Sequence, residues 1–440
     1  MTDIARTAEA AAVPARSPDR FRLFKIGAAT MAGSAIEAFD FLAYGTAAAL
    51  VFNRLFFPAS DPAVATLAAF GAFAAGFFAR PFGGLLFGHF GDRMGRKAML
   101  TTSLVLMGAA TVAIGLLPTY QSIGIWAAVL LILLRILQGV SFGGELAGAM
   151  LMAVEHAPPQ RKAFFGSLPQ MGPSIGLLLS TGAFALATRL PEDDFLSWGW
   201  RMPFVASVIL VGIGLFIRLK VEESPDFVKI KAQDKTAAFP AFDVIVKHKR
   251  SILLTIGAKL AEVTLYFTIV VFGVSYAVTT QHFDRTDVLN AVMLGAAIQA
   301  VTIPIFGWLG DRIGSKSVYA GGCFILVLTA IPLFMAVGSG SLAAFTVAVV
   351  IGLAFSYASI FGPQSEFYSV QFPAELRYTG MSIGIQIAAA LGGGLAPIVA
   401  TLLVGRFGSM TAVGGYIALL ALISGLCALS LKAPGTQARP

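Results

Sequence analysis

The chain has 440 residues, of which 57% are hydrophobic and only 12% are charged. An apolar content this high excludes an ordinary soluble domain and requires lipid as the solvent for most of the chain. The net charge of +8 does not indicate nucleic-acid binding, because the basic residues fall between apolar segments and form no basic face.

Residues 1–24 are polar and basic, without the apolar core and small-residue cleavage site of a signal peptide. We expect them to form a cytoplasmic tail. Twelve apolar segments follow, each long enough for a helix that crosses a bilayer core of ~30 Å. They lie at 25–53, 64–89, 98–117, 124–152, 162–188, 199–219, 250–279, 287–308, 317–338, 341–362, 379–404 and 410–431.

One long polar segment, 220–249, separates the sixth and seventh spans. We interpret it as a cytoplasmic linker between two six-helix halves, 25–219 and 250–431, with a second cytoplasmic tail at 432–440. When residues near the end of a span are counted with the adjacent loop, 23 of the 31 lysines and arginines lie in the tails and in the loops that are cytoplasmic if the N-terminus is inside, five lie in the outer loops, and three, Arg80, Arg135 and Lys259, lie within spans. This bias predicts that both termini are cytoplasmic and favours an even number of spans.

The first span contains two acids, Glu37 and Asp40, and a tyrosine, Tyr44. Their spacing of i, i+3 and i+7 places all three on one helix face. A charge inside a membrane costs ~2.5–3.5 kcal/mol on insertion scales, so each requires a reason. We therefore expect this face to be functional.

Two arginines lie inside later spans. Arg80 precedes Pro81 in the second span, and Arg135 lies at mid-depth in the fourth, one turn before Gln138. We expect Asp40, Arg80 and Arg135 to share one layer near the bilayer centre. One acid with two cations suits an anionic substrate, unless Glu37 balances the charge; the alternative is that Asp40 and Arg135 form only a structural ion pair between the first and fourth spans.

The segment from Gly88 to Lys97 is repeated as Gly307 to Lys316, 219 positions later. Both copies connect two apolar spans, so the chain is predicted to contain two similar bundles. We expect these loops and nearby charged residues to gate the cytoplasmic side. The predicted gating residues are Gly88, Asp92, Arg93, Gly95, Arg96, Glu145, Glu155, Arg161, Asp311, Arg312 and Arg377.

The pattern G-x-x-x-D-R-x-G-R-K in this loop resembles the signature loop of the major facilitator superfamily. The stretch that begins at Arg135 as Arg-Ile-Leu-Gln-Gly-Val-Ser-Phe-Gly-Gly-Glu, together with 36–44 and 377–380, is similar to the metabolite:proton symporter family within it. The resemblance implies an all-α membrane protein of twelve transmembrane helices in two pseudo-symmetric bundles. It also implies that Asp40 is the proton-coupling acid and Arg135 its partner, and we predict that Glu37, one turn before Asp40, takes part in proton coupling with them.

The sequence departs from this family at two places. Val370 and Gln371 precede Phe372-Pro373, where an acid is usual in the family, and Ser315 occupies the position that Arg96 holds in the first loop. Both departures concern the inner gate of the C-terminal half.

The seventh span contains Lys259, Glu262 and Tyr266, again at i, i+3 and i+7. Lys259 and Glu262 have two equal interpretations, a local ion pair or a substrate contact. Gln386 in the eleventh span is a candidate cavity residue. The predicted substrate-binding residues are Arg80, Arg135, Gln138, Tyr44, Tyr266 and Gln386.

These observations predict a proton-coupled importer of a small organic acid, such as a carboxylate or shikimate-like metabolite, that works by alternating access. A symporter of a zwitterionic osmolyte, proline or betaine, is the alternative within the family. A channel or membrane-embedded enzyme is a further alternative, but we find no nucleophile–base pair, metal-ligand spacing or phosphate-binding loop. We expect no cofactor or nucleic acid, a monomer, and location in a bacterial inner membrane.

Overall fold

The structure is a computed structural model that describes residues 20–58, 62–94, 96–220, 240–373 and 376–434. All regular secondary structure in these ranges is helical. Each of the twelve predicted spans is helical, and we label the spans α1–α12. In the first half they are α1 (Arg20–Ala47, continued by Ala48–Phe52 and Asn53–Leu55), α2 (Pro62–Met94), α3 (Arg96–Leu116), α4 (Ile125–His156), α5 (Lys162–Ser167, Pro169–Met171 and Gly172–Ala187) and α6 (Met202–Lys220). In the second half they are α7 (Lys249–Thr279), α8 (Arg285–Ile313), α9 (Ser315–Val337), α10 (Leu342–Ser369), α11 (Arg377–Phe407) and α12 (Met410–Ser430).

Within the described ranges, ten helices are long and apolar enough to cross a membrane, and α3 contributes a shorter apolar helix, Thr101–Leu116. The remaining span, α5, begins in short pieces. Pro169 and Pro173 lie at the starts of two of these pieces, where the missing proline N–H costs no helical hydrogen bond.

The helices form two pseudo-symmetric six-helix bundles, as the repeated loop predicts. The bundles meet along α5 and α8, where Gly182 approaches Met293 and Gly307 approaches Ser167. They also meet along α2 and α11, where Gly394 lies against Phe77. The glycines allow the helices of the two halves to approach closely.

The first helix of each half contains a π-helical segment, Ala48–Phe52 in α1 and Thr268–Gly273 in α7. The two segments begin at almost the same offset as the repeated loops. They contact each other toward the predicted external end. Such π-segments frequently mark functional positions in helices.

The predicted linker contains a short helix, Pro240–Lys247, that the sequence did not predict. The rest of that prediction, at 221–239, lies outside the described residues, as do the tail residues 1–19 and 435–440. Helix α1 begins at Arg20, within the predicted N-terminal tail.

Candidate functional site

The candidate site surrounds α1, whose apolar window is completely buried inside the protein. Asp40 and Tyr44 are fully buried, and Phe41 is 2% exposed. Glu37, one turn before Asp40, is also buried. The predicted polar face of α1 therefore lies in the protein interior, away from lipid.

Arg80 and Arg135 both lie against the ring of Phe41. The guanidinium carbon of Arg80 is 3.8 Å from the ring centre and that of Arg135 is 3.7 Å from it. Nε and one terminal nitrogen of each arginine are buried with no hydrogen-bond partner in the described part of the chain. The layer predicted from the sequence therefore contains two buried cations with free donors.

Close contact between α2 and α4 determines where Arg135 can lie. A Cβ atom on Gly139 would come 1.9 Å from the carbonyl oxygen of Gly76, and one on Gly76 would come 2.7 Å from Nε of Arg135. Any larger residue at Gly76 would displace the guanidinium group. These two glycines thus allow Arg135 to reach across α2 toward α1.

Six aromatic rings enclose this site, and we call them the central aromatic cluster. Phe267 comes from α7 in the other half, and its ring centre is 4.8 Å from that of Phe77, edge to face. The sequence analysis did not identify this cluster, because aromatic residues in an apolar span are as common on the lipid face. The cluster consists of Phe41, Tyr44, Phe73, Phe77, Phe142 and Phe267.

Asp40 has a different environment from its neighbour Phe41. Both its carboxyl oxygens are buried and, among the described residues, have no hydrogen-bond partner; no ion pair joins Asp40 to Arg135 in this conformation. The hydroxyl groups of Thr111 and Ser207 lie beside the carboxyl group without hydrogen-bond geometry. Thr111 donates its proton to the Met107 carbonyl at 3.0 Å, and Ser207 donates to that of Phe204 at 2.8 Å. Both hydroxyls are therefore engaged with backbone carbonyls of their own helices.

A chain of hydrogen bonds leads from Arg135 toward Asp40. Nη1 of Arg135 donates to Oε1 of Gln138 at 3.0 Å, and Nε2 of Gln138 donates to Oγ1 of Thr111 at 2.7 Å. Thr111 in turn lies beside Asp40. Gln138, predicted as a substrate contact, thus takes part in this chain of hydrogen bonds.

In the C-terminal half, Lys259 forms a closed cluster with Glu262 and Gln364. The Lys259 ammonium donates to both carboxylate oxygens of Glu262, at 3.2 and 2.9 Å, and to Oε1 of Gln364 at 3.1 Å. Gln364 Nε2 also donates to Glu262 at 3.3 Å. The sequence left two interpretations for Lys259 and Glu262, a local ion pair or a substrate contact. In this conformation they form the ion pair, and Gln364 of α10 binds both of them.

Two other predicted residues lie at the contact between the halves. The ring of Tyr266 packs against Tyr357 with centres 4.9 Å apart, and its hydroxyl is buried without a partner in the described regions. Nε2 of Gln386 on α11 donates to the Gly143 carbonyl on α4 at 3.0 Å. Gln386 thus joins the two halves directly.

At the predicted cytoplasmic end, Asp311 of the second loop caps the start of α5. Its two carboxylate oxygens accept hydrogen bonds from the backbone N–H groups of Ala163 and Phe164, at 2.8 and 3.0 Å. Carboxylates at helix N-termini are favourable, because free N–H groups and the helix dipole both attract them. The duplicated loop therefore holds the opposite half by a helix cap.

Further contacts between the halves lie around this cap. Arg377 pairs with Glu155 at 3.6 Å, and Ser365 donates to the Gly166 carbonyl at 2.7 Å. Gln170 donates to the Phe361 carbonyl at 2.7 Å. The predicted gating residues Glu155, Asp311 and Arg377 thus come together at one seam.

The remaining predicted gating residues have different surroundings. Arg161 is exposed but lies close enough to Asp311 for their charges to attract. Arg312 is exposed and stacks on Trp308 at 4.2 Å. Glu145 accepts a hydrogen bond from Ser103 of its own half. The predictions for Gly95 and for the side chains at 88, 92, 93 and 96 lie outside the described residues.

The two departures from the family pattern have different partners. Ser315 donates a hydrogen bond to Glu366, an acid on α10 just before Val370. Gln371 binds the backbone of Lys432 through both amide atoms, at 2.9 and 3.0 Å. The C-terminal gate therefore has an acid close to the expected position, paired with a hydroxyl group.

At the predicted external end, one exposed carboxylate bridges the halves. Glu192 accepts hydrogen bonds from Arg54 of its own half at 2.8 Å and from Arg285 of the other half at 3.1 Å. These two hydrogen bonds lower the pKa of Glu192 below its usual value. We call these three residues the external clasp.

Comparison with known proteins identifies a matching family and several related sequences. A model of the Major Facilitator Superfamily matches residues 30–397. The chain is 40% identical over 407 residues to the shikimate transporter of Escherichia coli strain K12, covering 92% of this chain and 93% of that protein. It is 32% identical over 427 residues to the proline/betaine transporter of Salmonella typhimurium, covering 94% and 84% respectively.

Among solved structures, the chain is similar to the xylose transporter XylE of E. coli in a partially occluded inward-open conformation. The TM-score is 0.74 at 16% identity, covering 95% of this chain and 99% of that one. At this identity the similarity concerns the fold alone.

Proposed function

This chain belongs to the major facilitator superfamily and is a membrane transporter, and we propose that it is a proton-coupled importer of a small organic acid in a bacterial inner membrane. The proposal places both termini in the cytoplasm. Its main support is the pair Arg80 and Arg135, two buried cations of the N-terminal half whose Nε and one terminal nitrogen have no partner among the described residues. Buried cations of this kind are costly unless an anion pairs with them.

The substrate carboxylate is proposed to bind Arg80 and Arg135. Guanidinium groups suit this role, because their planar N–H donors match the two oxygens of a carboxylate. One relative with 40% identity is a shikimate transporter, which supports a carboxylate over a neutral solute.

Asp40 is proposed to carry the coupled proton. Its carboxyl group is fully buried, and within the described residues neither oxygen has a hydrogen-bond partner; burial of an unpaired carboxylate in such a place is costly. We therefore assign the protonated form to Asp40 in this conformation. After the proton leaves, the Asp40 carboxylate attracts Arg135 and competes with the substrate, which promotes substrate release.

The proposed cycle is alternating access. The two halves rock about the central aromatic cluster, with the Asp311 cap and the external clasp separating in turn. Communication between proton and substrate runs through Arg135, Gln138 and Thr111.

Uptake by purified protein in liposomes tests this proposal. An inward proton gradient is expected to drive wild-type accumulation of an organic acid above its outside concentration. Asp40→Asn is expected to abolish that accumulation and to retain exchange of labelled for unlabelled substrate. Accumulation by Asp40→Asn against a gradient would exclude Asp40 as the coupling group, and the lack of exchange in the wild type would contradict a carrier.

A further inference from the structure

We propose that the junction between the short helix Pro240–Lys247, which we call the linker helix, and α7 binds the headgroup of an anionic phospholipid. The bound lipid stabilises the contact between the two halves at this end of the molecule. The partner is the membrane itself, so neither the substrate nor proton coupling enters. Three observations support the site: the contacts of the linker helix, the face on which its exposed residues lie, and the charge on that face.

The linker helix contacts both halves of the protein. Its neighbours are α2 of the N-terminal half and α7 and α11 of the C-terminal half. Val244, on its inner face, is completely buried. Rocking of the halves must therefore move the linker helix away from α2 or from α11. A ligand that binds the helix in its present position stabilises the present contact between the halves, because a ligand shifts an equilibrium toward the state it binds.

Helical hydrogen bonds continue from the linker helix into α7, with a bend at His248. The N–H of His248 donates to the Val244 carbonyl at 2.9 Å, and the N–H of Ile252 donates to the His248 carbonyl at 3.1 Å. Residues three, four and seven apart therefore share a face across the junction. Val244 and Ile252 are both buried, so they define the inner face.

The outer face of the junction places cations between exposed apolar residues. Ile245 and Val246 are 50% and 55% exposed, and Leu253, seven residues after Val246, is 66% exposed. Lys249 and Arg250 lie between them and are also exposed. An apolar face bordered by lysine and arginine is typical of a helix at the membrane interface. This arrangement indicates that Lys249 and Arg250 lie at the level of the lipid headgroups.

The charge at the junction is positive. Residues 247–250 are Lys-His-Lys-Arg, and Asp243 is the one acid in the sequence from 240 to 253. Among the described residues, Lys249 and Arg250 have no ion-pair partner. They are also the first two residues of α7, where the helix dipole disfavours positive charge. The two cations thus contribute no stability to their own helix, and an external anion would pair with both.

A phospholipid matches both parts of this surface. Its phosphate can pair with Lys249 and Arg250, while its acyl chains cover Ile245 and Val246. A soluble phosphate would use only the cations and leave the apolar residues in water. Phosphatidylglycerol is favoured over phosphatidylcholine, because the choline group neutralises the phosphate of its own headgroup whereas glycerol leaves the negative charge available.

Hydrogen exchange of the full-length protein in lipid nanodiscs tests the site. Discs of phosphatidylcholine alone are compared with discs of an equal mixture of phosphatidylcholine and phosphatidylglycerol, by mass spectrometry. Exchange of the amides at 245–253 is expected to be at least about fivefold slower in the mixed discs, because one lysine or arginine near an anionic surface contributes about that factor. Equal exchange in the two kinds of disc would overturn the proposal.

Charge variants show whether the two cations bind the lipid. Lys249→Gln combined with Arg250→Gln is expected to abolish the difference between the discs, and Lys249→Arg combined with Arg250→Lys is expected to retain it. Arg406→Gln is the matched control, since Arg406 is an exposed cation beside the exposed Phe407 at the other end of a span. It should leave the response at the junction unchanged. A full response in the double glutamine variant would also overturn the proposal.

A soluble phosphate distinguishes a lipid site from a general anion site. Glycerol 3-phosphate carries the phosphate and glycerol of the lipid without its acyl chains. Added to the phosphatidylcholine discs, it is expected to leave exchange at 245–253 unchanged. Protection equal to that given by phosphatidylglycerol would show that the junction binds soluble phosphates and would overturn the assignment to lipid.

The amides of Ala163 and Phe164 report on the contact between the halves, because Asp311 of the C-terminal half accepts hydrogen bonds from both. Their exchange is expected to slow about two- to fivefold in the mixed discs and to be the same in both discs for the double glutamine variant. Protection confined to the junction would contradict the proposed stabilisation of this contact. A lack of proton-driven uptake would contradict the proposed function and leave these results unaffected.

Discussion

Arg80 and Arg135 share one aromatic ring, with their guanidinium carbons 3.8 and 3.7 Å from the centre of Phe41. Their separation therefore cannot exceed the sum of those two distances. Like charges this close repel strongly in a medium from which water is excluded. Asp40 does not pair with either of them in this conformation, so an incoming anion relieves the repulsion.

Arg135→Lys tests whether the planar group matters. An ammonium keeps the charge but cannot lie flat on Phe41 while it binds a carboxylate through two donors. We expect the substrate dissociation constant to rise at least about 10-fold, measured by thermal-shift titration. Arg312→Lys is the control, because Arg312 also stacks on an aromatic ring, that of Trp308, but is exposed. An equal loss in both variants would contradict a specific role for Arg135.

Thr111→Val tests the hydrogen-bond chain between substrate and proton. Valine keeps the shape but removes the acceptor for Gln138 and one lone pair beside Asp40. We expect fewer protons to enter per substrate, with substrate exchange retained. The measurement compares pH change with labelled-substrate uptake in the same liposomes.

Thr102→Val is the matched control for this variant. Thr102 lies on the same helix and donates to a backbone carbonyl four residues earlier, as Thr111 does, but it is exposed. The number of protons that enter per substrate in Thr102→Val should equal that of the wild type. A normal stoichiometry in Thr111→Val would exclude the chain as the coupling route.

Glu192→Gln tests the external clasp. The two arginine hydrogen bonds lower the pKa of Glu192 below its ordinary value of 4.5. The clasp is therefore fully formed above pH 4.5, and it is lost as the pH falls through the lowered pKa. At neutral pH the variant should open the external side about two- to fivefold more often, because exposed ion pairs are weak. The readout is labelling of a Val271→Cys reporter, which lies against Gly45 of the other half, by an impermeant maleimide.

The same reporter should respond to conditions in the wild type. Added salt screens exposed charges, and acidification below the lowered value protonates Glu192, so both should increase labelling toward the level of the variant. Asp287→Asn is the control, since Asp287 is also an exposed acid near Arg285 in the chain. A salt effect of equal size in Glu192→Gln would exclude the clasp as its cause.

Asp311→Ala tests the helix cap that joins the halves. Loss of an N-cap costs about 1 kcal/mol, a factor of about five in the closed population. We expect faster hydrogen exchange at the amides of Ala163 and Phe164, measured by mass spectrometry. Asp284→Ala is the control, because Asp284 caps its own helix, α8, through Thr286 and Asp287. It should leave the exchange at α5 unchanged.

The sequence predicted the features that depend on composition and repetition. The twelve spans follow from apolar length, and the two bundles follow from the repeated loop. The charged residues of the membrane interior, Asp40, Arg80 and Arg135, are buried because hydrocarbon does not tolerate them on the outside.

Features that depend on how helices face one another were not predictable. Adjacent residues on α1 face different partners: Asp40 lies beside Thr111 and Ser207, while Phe41 contacts the two arginines. A single sequence does not show how α1 is rotated about its own axis relative to the neighbouring helices. The same reason explains why Thr111 and Phe267 were missed, since neither differs from other apolar-span residues until its neighbours are known.

The polar contacts between the halves are distributed unevenly along the molecule. Near α5 and α11 they include the Asp311 cap and the largely buried hydrogen bonds of Ser365 and Gln386. At the predicted external end, the polar contact between the halves among the described residues is the exposed Arg285–Glu192 ion pair. A buried hydrogen bond contributes about 0.5–1.5 kcal/mol and an exposed ion pair about 0–1 kcal/mol. With both termini cytoplasmic, as proposed above, the empty carrier should consequently rest with its binding pocket toward the outer side of the membrane, ready for an incoming solute.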